Sequence, residues 1–277
     1  MEKPSNQPAI IIRPRKGWWD LDWRELWEYR ELLYFFVWRD IKVRYKQTAL
    51  GVAWAIIQPF MTMVVFSLFF GLLAKIPSNG LPYPVFYYSA LLPWMYFSNS
   101  LSYASSIVVQ HRSMITKVYF PRIILPISSV LVGIVDFLIA FSILLAMMAL
   151  YNIQINLKIM LIPLFLLLSL LTALSVGIWF AALNAIYRDI QYIVPFIIQF
   201  WMFASPVAYP SSIVPEKWQW LYGLNPMAGV IEGFRWVITG QGHLPDLLPV
   251  SILVVFILLM GGLIYFQKLE GKIADWV

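Results

Sequence analysis

Six long stretches of this chain carry no acidic or basic side chain, at 47–74, 76–111, 137–157, 159–187, 190–215 and 247–267. Short charged or proline-bearing connections separate them. A helix rises 1.5 Å per residue and needs about 20 apolar residues to cross the hydrocarbon of a bilayer, so each stretch holds one crossing. The pattern predicts an all-α membrane protein with six transmembrane helices, near 50–74, 85–109, 124–150, 159–186, 191–208 and 247–267. An even number of crossings puts both termini on one side.

Ahead of the first crossing the pattern changes. Over 22–46 charged residues (Arg24, Glu25, Glu28, Arg30, Glu31, Arg39, Lys42, Arg44, Lys46) interleave with large apolar ones (Trp23, Leu26, Trp27, Leu33, Phe36, Val37). Such a helix suits a membrane surface, its aromatic face among the headgroups and its basic face toward water and anionic lipid. Three regions follow: a polar, proline-rich arm at 1–20, an amphipathic interface helix at 21–46, and a six-span membrane domain at 47–277.

Composition agrees, with 61% hydrophobic and 12% charged residues and a net charge of +6. Of the 20 Lys and Arg, 16 fall on the side of the termini and 4 on the other. That bias places both termini in the cytoplasm, and it accounts for the basic net charge without a nucleic-acid partner. The expected location is the bacterial inner membrane, multi-pass. The first residues lack a short apolar core with a cleavage site, so the first span is expected to remain as an anchor. With no cysteine, disulfides, thiolate catalysis and thiolate metal sites are excluded.

The connections carry their own signals. The loop His111-Arg112-Ser113-Met114-Ile115-Thr116-Lys117-Val118-Tyr119-Phe120-Pro121-Arg122 is short, basic and amphipathic, suited either to docking on a partner or to simple connection. Asp20-Leu21-Asp22 has the look of a metal-binding D-x-D, but Asp22 stands three residues before Glu25, as a helix N-cap with its capping partner does. On the far side, prolines at 206, 210, 215 and 226 break the segment before the last span. Asn225-Pro226 reads as a cap followed by proline at the first helical position, opening a helix of about 227–239 that ends before Gly240. It is apolar but too short to cross, which predicts short external re-entrant helices before the last span. Glu232 and Arg235 share one face of it, either at the external mouth of a conduit or as a surface pair.

Candidate chemistry is sparse. Asp136 is the one carboxylate well inside a span and has no titratable companion in the sequence pattern, so a structural interhelical bond is expected of it rather than proton transfer. His111 and His243 fall on opposite sides, leaving no metal cluster and no intramembrane dyad. No G-x-x-x-x-G-K-[ST] is present, so any nucleotide site belongs to another polypeptide. No catalytic, metal or cofactor residue is predicted. The spans do carry many rings: Trp54, Phe60, Phe66 and Phe70, then Tyr87, Tyr88, Trp94, Tyr96 and Tyr103, then Phe196, Phe200, Trp201 and Phe203. A ring-lined passage offers apolar faces and hydroxyl edges to a sliding sugar chain; ordinary packing is the alternative for any single ring.

Arg39-Asp40-Ile41-Lys42-Val43-Arg44-Tyr45-Lys46-Gln47-Thr48-x-Leu50-Gly51-x-x-Trp54-x-x-x-Gln58-Pro59 resembles the approach to the first span in permease subunits of type-2 ABC exporters for O-antigen and teichoic-acid polysaccharides. Tyr187-Arg188-Asp189-Ile190, Phe203-x-Ser205-Pro206-Val207-x-Tyr209 and Leu224-Asn225-Pro226-Met227 are similar to later landmarks of that family, in the same order. The resemblance spans essentially the whole chain.

It implies a homodimeric pore carrying a lipid-linked polysaccharide outward, driven by two copies of a separate ATPase that binds ATP and Mg. It implies ATPase coupling through Arg112, Ser113, Met114 and Lys117, with Arg39 and Lys42 on the interface helix. Trp54, Phe60, Tyr87, Tyr96, Phe196, Phe200 and Trp201 become the candidate substrate channel, and Glu232 and Arg235 the external mouth. Two other classes stay open at this point. One is a membrane-embedded glycosyl or acyl transferase acting on lipid-linked sugars, with Asp20, Asp22, Asp136 or Glu232 catalytic. The other is a gradient-driven transporter using Asp136.

Overall fold

The computed structural model describes residues 23–46, 51–240 and 244–276, and the regular elements among these are all helical. The arm at 1–20, the Asp20-Leu21-Asp22 helix start, the 47–50 junction and His243 lie outside the described residues. In order the chain forms α1 (Trp23–Glu28), α2 (Arg30–Lys46), α3 (Val52–Phe66) with a π-helical continuation over Ser67–Leu73, α4 (Tyr83–Gln110), α5 (Arg112–Ile115) and α6 (Ile124–Leu150). A 3₁₀ turn (Leu157–Leu161) leads into α7 (Ile162–Ile186), followed by α8 (Ile190–Ala204), a 3₁₀ turn (Ser211–Ile213), α9 (Glu216–Tyr222), α10 (Pro226–Thr239) and α11 (Leu248–Trp276).

Among the described residues, four segments are long and apolar enough to cross a membrane: Val52–Leu73, Ile124–Leu150, Leu157–Ile186 and Leu248–Gly271. The other two expected crossings differ from these. α8 is apolar but only 15 residues long, and α4 has 28 residues without matching hydropathy. The reason for α4 is its place in the fold. It touches α3, α6, α7, α8 and α10, so Tyr87, Tyr88, Tyr96, Ser89, Ser100 and Ser105 meet protein rather than lipid, while Ser102 and Tyr103 stay exposed. Tyr88 and Tyr96 donate to the Ala140 and Val130 carbonyls of α6, each at 3.1 Å, and Ser89 and Ser105 bond back to carbonyls one turn earlier. A polar group with a protein partner is tolerated at membrane depth.

Small residues set the closest approaches. Gly177 of α7 lies so near α4 that a Cβ there would come within 2.7 Å of the Ala104 methyl, and the crossing is sealed by Asn184 donating to the Ser105 carbonyl at 2.9 Å. α10 is capped as its sequence predicts: Asn225 Oδ1 accepts from the Met227 N–H at 3.0 Å, and Gly240 ends the helix in the left-handed region at φ 64°. It does not lie on a surface, however. Most of α10 is buried against α4, α7 and α11, because Gly233 lets the Phe165 ring close over it, where an added Cβ would come within 2.0 Å of a ring carbon.

The interface helix is broken at Tyr29 into α1 and α2. Its apolar residues do not form one stripe. Phe36 is fully buried, with Leu32 and Leu33 beside it, while Trp27, Tyr34, Phe35, Trp38 and Val43 point outward. The inner set completes a second core with Ile107, Phe120, Ile124, Ala181 and Phe266 at the α5 end of the bundle. The outward set is a large exposed aromatic surface of the kind that meets headgroups or a partner.

Candidate functional site

At the end of α2, Arg44 and Tyr45 both bond to Asp136 of α6, one to each carboxylate oxygen. The Arg44 guanidinium also lies 4.6 Å from the Tyr103 ring centroid. Burial, reinforced by the bond to Asp136, pushes the Tyr45 phenol well above its usual pKa, so it remains a proton donor to the carboxylate. Asp136 is therefore not solitary. Its interhelical bond runs to the interface helix rather than to another span. Counted up α6 from Arg122 it stands about 21 Å along the axis, yet a residue of the interface helix reaches it. The turns of α4, α6, α7 and α11 at that end also enclose the second core around Phe36 of α2.

Beside this cluster a groove of about 340 Å³ runs between α3, α4 and α6. Trp54, Gln58, Tyr96, Asn99 and Tyr103 line it, a mixture of rings and amides open to one side of the chain.

The loop at 111–122 is tied to both ends of the described chain. His111 Nε2 lies 2.6 Å from an Arg39 guanidinium nitrogen, and its ring packs edge-on to Phe36 with centroids 6.0 Å apart. Phe36 in turn meets Phe120 at 5.9 Å. Tyr119 donates to Glu25 of α1 at 3.0 Å, and the Arg122 N–H donates to Glu270 of α11 at 2.8 Å. Of the six residues expected to couple to a partner, Arg112, Ser113, Lys117 and Lys42 are exposed. Met114 is half-buried against the second core, and Arg39 is a half-buried clamp between Asp40, His111 and the Phe36 ring.

At the opposite end, Glu232 and Arg235 form an ion pair of 3.1 Å on one face of α10. Arg235 is only 4% exposed, its fork donating to the Val207 and Tyr209 carbonyls while its plane covers the Phe86 ring at 3.8 Å. Glu232 also accepts from the Ser211 N–H at 3.0 Å. The pair is interior, not a surface decoration.

The seven expected channel rings are not brought together within one chain. Tyr87 and Tyr96 are core residues at 0% and 4% exposure, although Tyr96 also borders the groove. Trp201 donates from Nε1 to Asn225 Oδ1 at 2.8 Å and meets Phe97 edge-on. Trp54, Phe60, Phe196 and Phe200 are outward, the last two at 70% and 68% exposure on α8, where Val194 is the buried residue.

Among the described residues the protein is all-helical, with several apolar segments long enough to cross a membrane and with Asp136 and Glu232 each paired to an arginine. The chain belongs to the ABC-2 type transporter family, whose profile matches residues 31–239. It is 31% identical over 256 residues to the O-antigen export system permease protein RfbA of Myxococcus xanthus, covering 91% of this chain and 97% of that one. An O-antigen export system permease protein RfbA of Klebsiella pneumoniae is 26% identical over 88% of the chain and 94% of its own length. The polysialic acid transport protein KpsM of Escherichia coli is 23% identical over 84% of the chain and 91% of its own length.

Proposed function

We propose that this protein is the permease subunit of an ATP-driven exporter that moves a lipid-linked, O-antigen-like polysaccharide from the cytoplasm to the outer face of the inner membrane. The observation that carries the reading is similarity to O-antigen export permeases over nearly the full length of both chains. In this reading α3, α4, α6, α7, α8 and α11 are the six crossings. The α5 end and both termini are cytoplasmic, and α9 and α10 form the external, re-entrant part. Two copies assemble so that the outward rings of α3 and α8 face a shared passage, with Trp54 and the groove beside it at its inner side. Two copies of a separate subunit bind ATP and Mg.

The geometry supplies a route for force. A push on the loop at 111–122 meets Phe36 and Arg39 through His111 and Phe120, and so moves α2 as one body with the loop. α2 leads into α3 and is fastened to α6 through Arg44, Tyr45 and Asp136, so the same displacement shears two crossings against each other. The transferase alternative is disfavoured because Asp136 and Glu232 are engaged by arginines, and gradient coupling because Asp136 is locked to Arg44 and Tyr45.

The exposed charges of the loop provide a test. Arg112→Ala together with Lys117→Ala is expected to leave the permease in the membrane while weakening its co-purification with the ATPase at low salt and cutting surface polymer sharply, because rim charges govern encounter and register with a partner. Unchanged co-purification and unchanged surface polymer in the double variant would remove this loop from the coupling surface.

A further inference from the structure

A second cavity, of about 530 Å³, opens at the α10 end, away from the groove beside Asp136. Ser212, Gln219 of α9, Glu232, Arg235 and Trp236 of α10, and Asp246 ahead of α11 stand around it. Its volume lies in the range of small-ligand sites, and its wall combines these polar groups with Leu81, Phe86, Leu244 and Leu247.

The lining is specific in kind. Two carboxylates accept from hydroxyl groups, a primary amide both donates and accepts, a serine does the same, and an indole offers an apolar face to ring C–H groups. Arg235 adds a sharper observation. Its terminal nitrogens are taken up by Glu232, Tyr209 and Val207, but Nε is buried with no hydrogen-bond partner. A buried donor is nearly always satisfied, so this unpaired one marks the Arg235 cluster beside the cavity as polar and incompletely satisfied.

Charge and geometry narrow the ligand. Glu232 and Asp246 face Arg235 and Lys158, whose ammonium stands 4.5 Å over the Trp236 ring, so the described charges around the cavity cancel and no net field favours an anion. Among the described residues no three His, Asp or Glu side chains meet as a metal site. An acyl chain would leave every polar group of the lining dry and unpaired. What remains is an uncharged, polyhydroxylated molecule.

We propose that this cavity binds a neutral saccharide unit of the exported polymer. The proposal rests on the export reading and adds to it an external holding site inside each protomer, distinct from the shared passage. A sugar held there resists slipping back between strokes of the ATPase.

The experiment uses the complete permease with its ATPase in lipid nanodiscs. The probe is the repeat-unit oligosaccharide released from the host's own surface polysaccharide, with a galacturonate trimer as the anionic comparator. Titration calorimetry is expected to show saturable binding of the repeat unit, weakened about tenfold or more by Gln219→Ala and by Asp246→Asn, since a site built to hydrogen-bond a substrate discriminates strongly when a partner is removed. Both variants alter side chains at the rim of the cavity, and retained co-purification with the ATPase establishes that they fold. Absence of saturable binding, binding unaffected by both variants, or preference for the galacturonate would each overturn the proposal. Loss of export on removing the ATPase, combined with no saccharide binding, would sink this site alone; export that persists without the ATPase would sink the underlying reading.

Discussion

Replacing Asp136 by alanine is expected to uncouple export while leaving the chain inserted in the membrane. The substitution removes two bonds at once, from Arg44 and from Tyr45, beside the Tyr103 ring. Breaking a fully buried pair costs roughly 3–5 kcal/mol. Here the two side chains keep 24% and 25% of their exposure, so water recovers part of that. A loss of roughly 1–3 kcal/mol is the appropriate scale for a partly wet site.

That loss is modest for the bundle but large for the joint, because the cluster fastens the end of the interface helix to α6. Surface polymer is expected to fall severely in Asp136→Ala and less in Asp136→Asn, which keeps an acceptor for one of the two donors. The pair Arg44→Met with Asp136→Leu separates the two roles. It removes both charges, and apolar replacement of an ion pair is often neutral or stabilising, so thermal stability should recover while export does not. Full export in that double variant would mean that the joint only stabilises the protein and transmits nothing.

The largest effect on folding is expected from Glu232→Ala. Arg235 and Glu232 keep 5% and 13% side-chain exposure, so the remaining guanidinium would be buried against Phe86 without a carboxylate. The expected loss is roughly 3–5 kcal/mol, a large share of the stability of a typical domain. Little Glu232→Ala protein should therefore accumulate in membranes, with Glu232→Gln intermediate because its amide oxygen still accepts from the Ser211 N–H. Arg235→Lys should also suffer, since one ammonium cannot span the Glu232, Tyr209 and Val207 oxygens that the planar fork meets. Yields of Glu232→Ala equal to the unaltered protein, by immunoblot of membranes and thermal unfolding in detergent, would contradict this account of the α10 end.

These two clusters mark where sequence reading reaches and where it stops. The cap at Asn225, the left-handed stop at Gly240 and the i,i+3 placement of Glu232 and Arg235 are local, and residue spacing carried them. The partners of Asp136 are distant. Arg44 and Tyr45 stand 92 and 91 residues away and on a different class of element, so no periodicity connects them. The available signal was physical: a carboxylate in a span needs a counter-charge, and 39–46 is one of two basic runs at a membrane boundary, the other being the loop at 112–122.

Helix α4 illustrates the opposite limit. Absence of charge marked 76–111, but only the fold explains why a helix with so many tyrosines and serines is sheathed by five others. Tyr87 and Tyr96 belong to that sheath, whereas Phe196 and Phe200 stand outward on α8. Span number says nothing about which face of a helix meets lipid, protein or a second copy, so the rings expected to line a channel could not be sorted from sequence.

The central claim is that this chain exports polymer only when a separate ATPase drives it. The direct measurement is to delete that ATPase, keep this chain intact, and quantify surface polysaccharide against lipid-linked polymer retained inside. The account predicts loss of surface polymer with internal accumulation of the lipid-linked form. Undiminished surface polymer without the ATPase would contradict it.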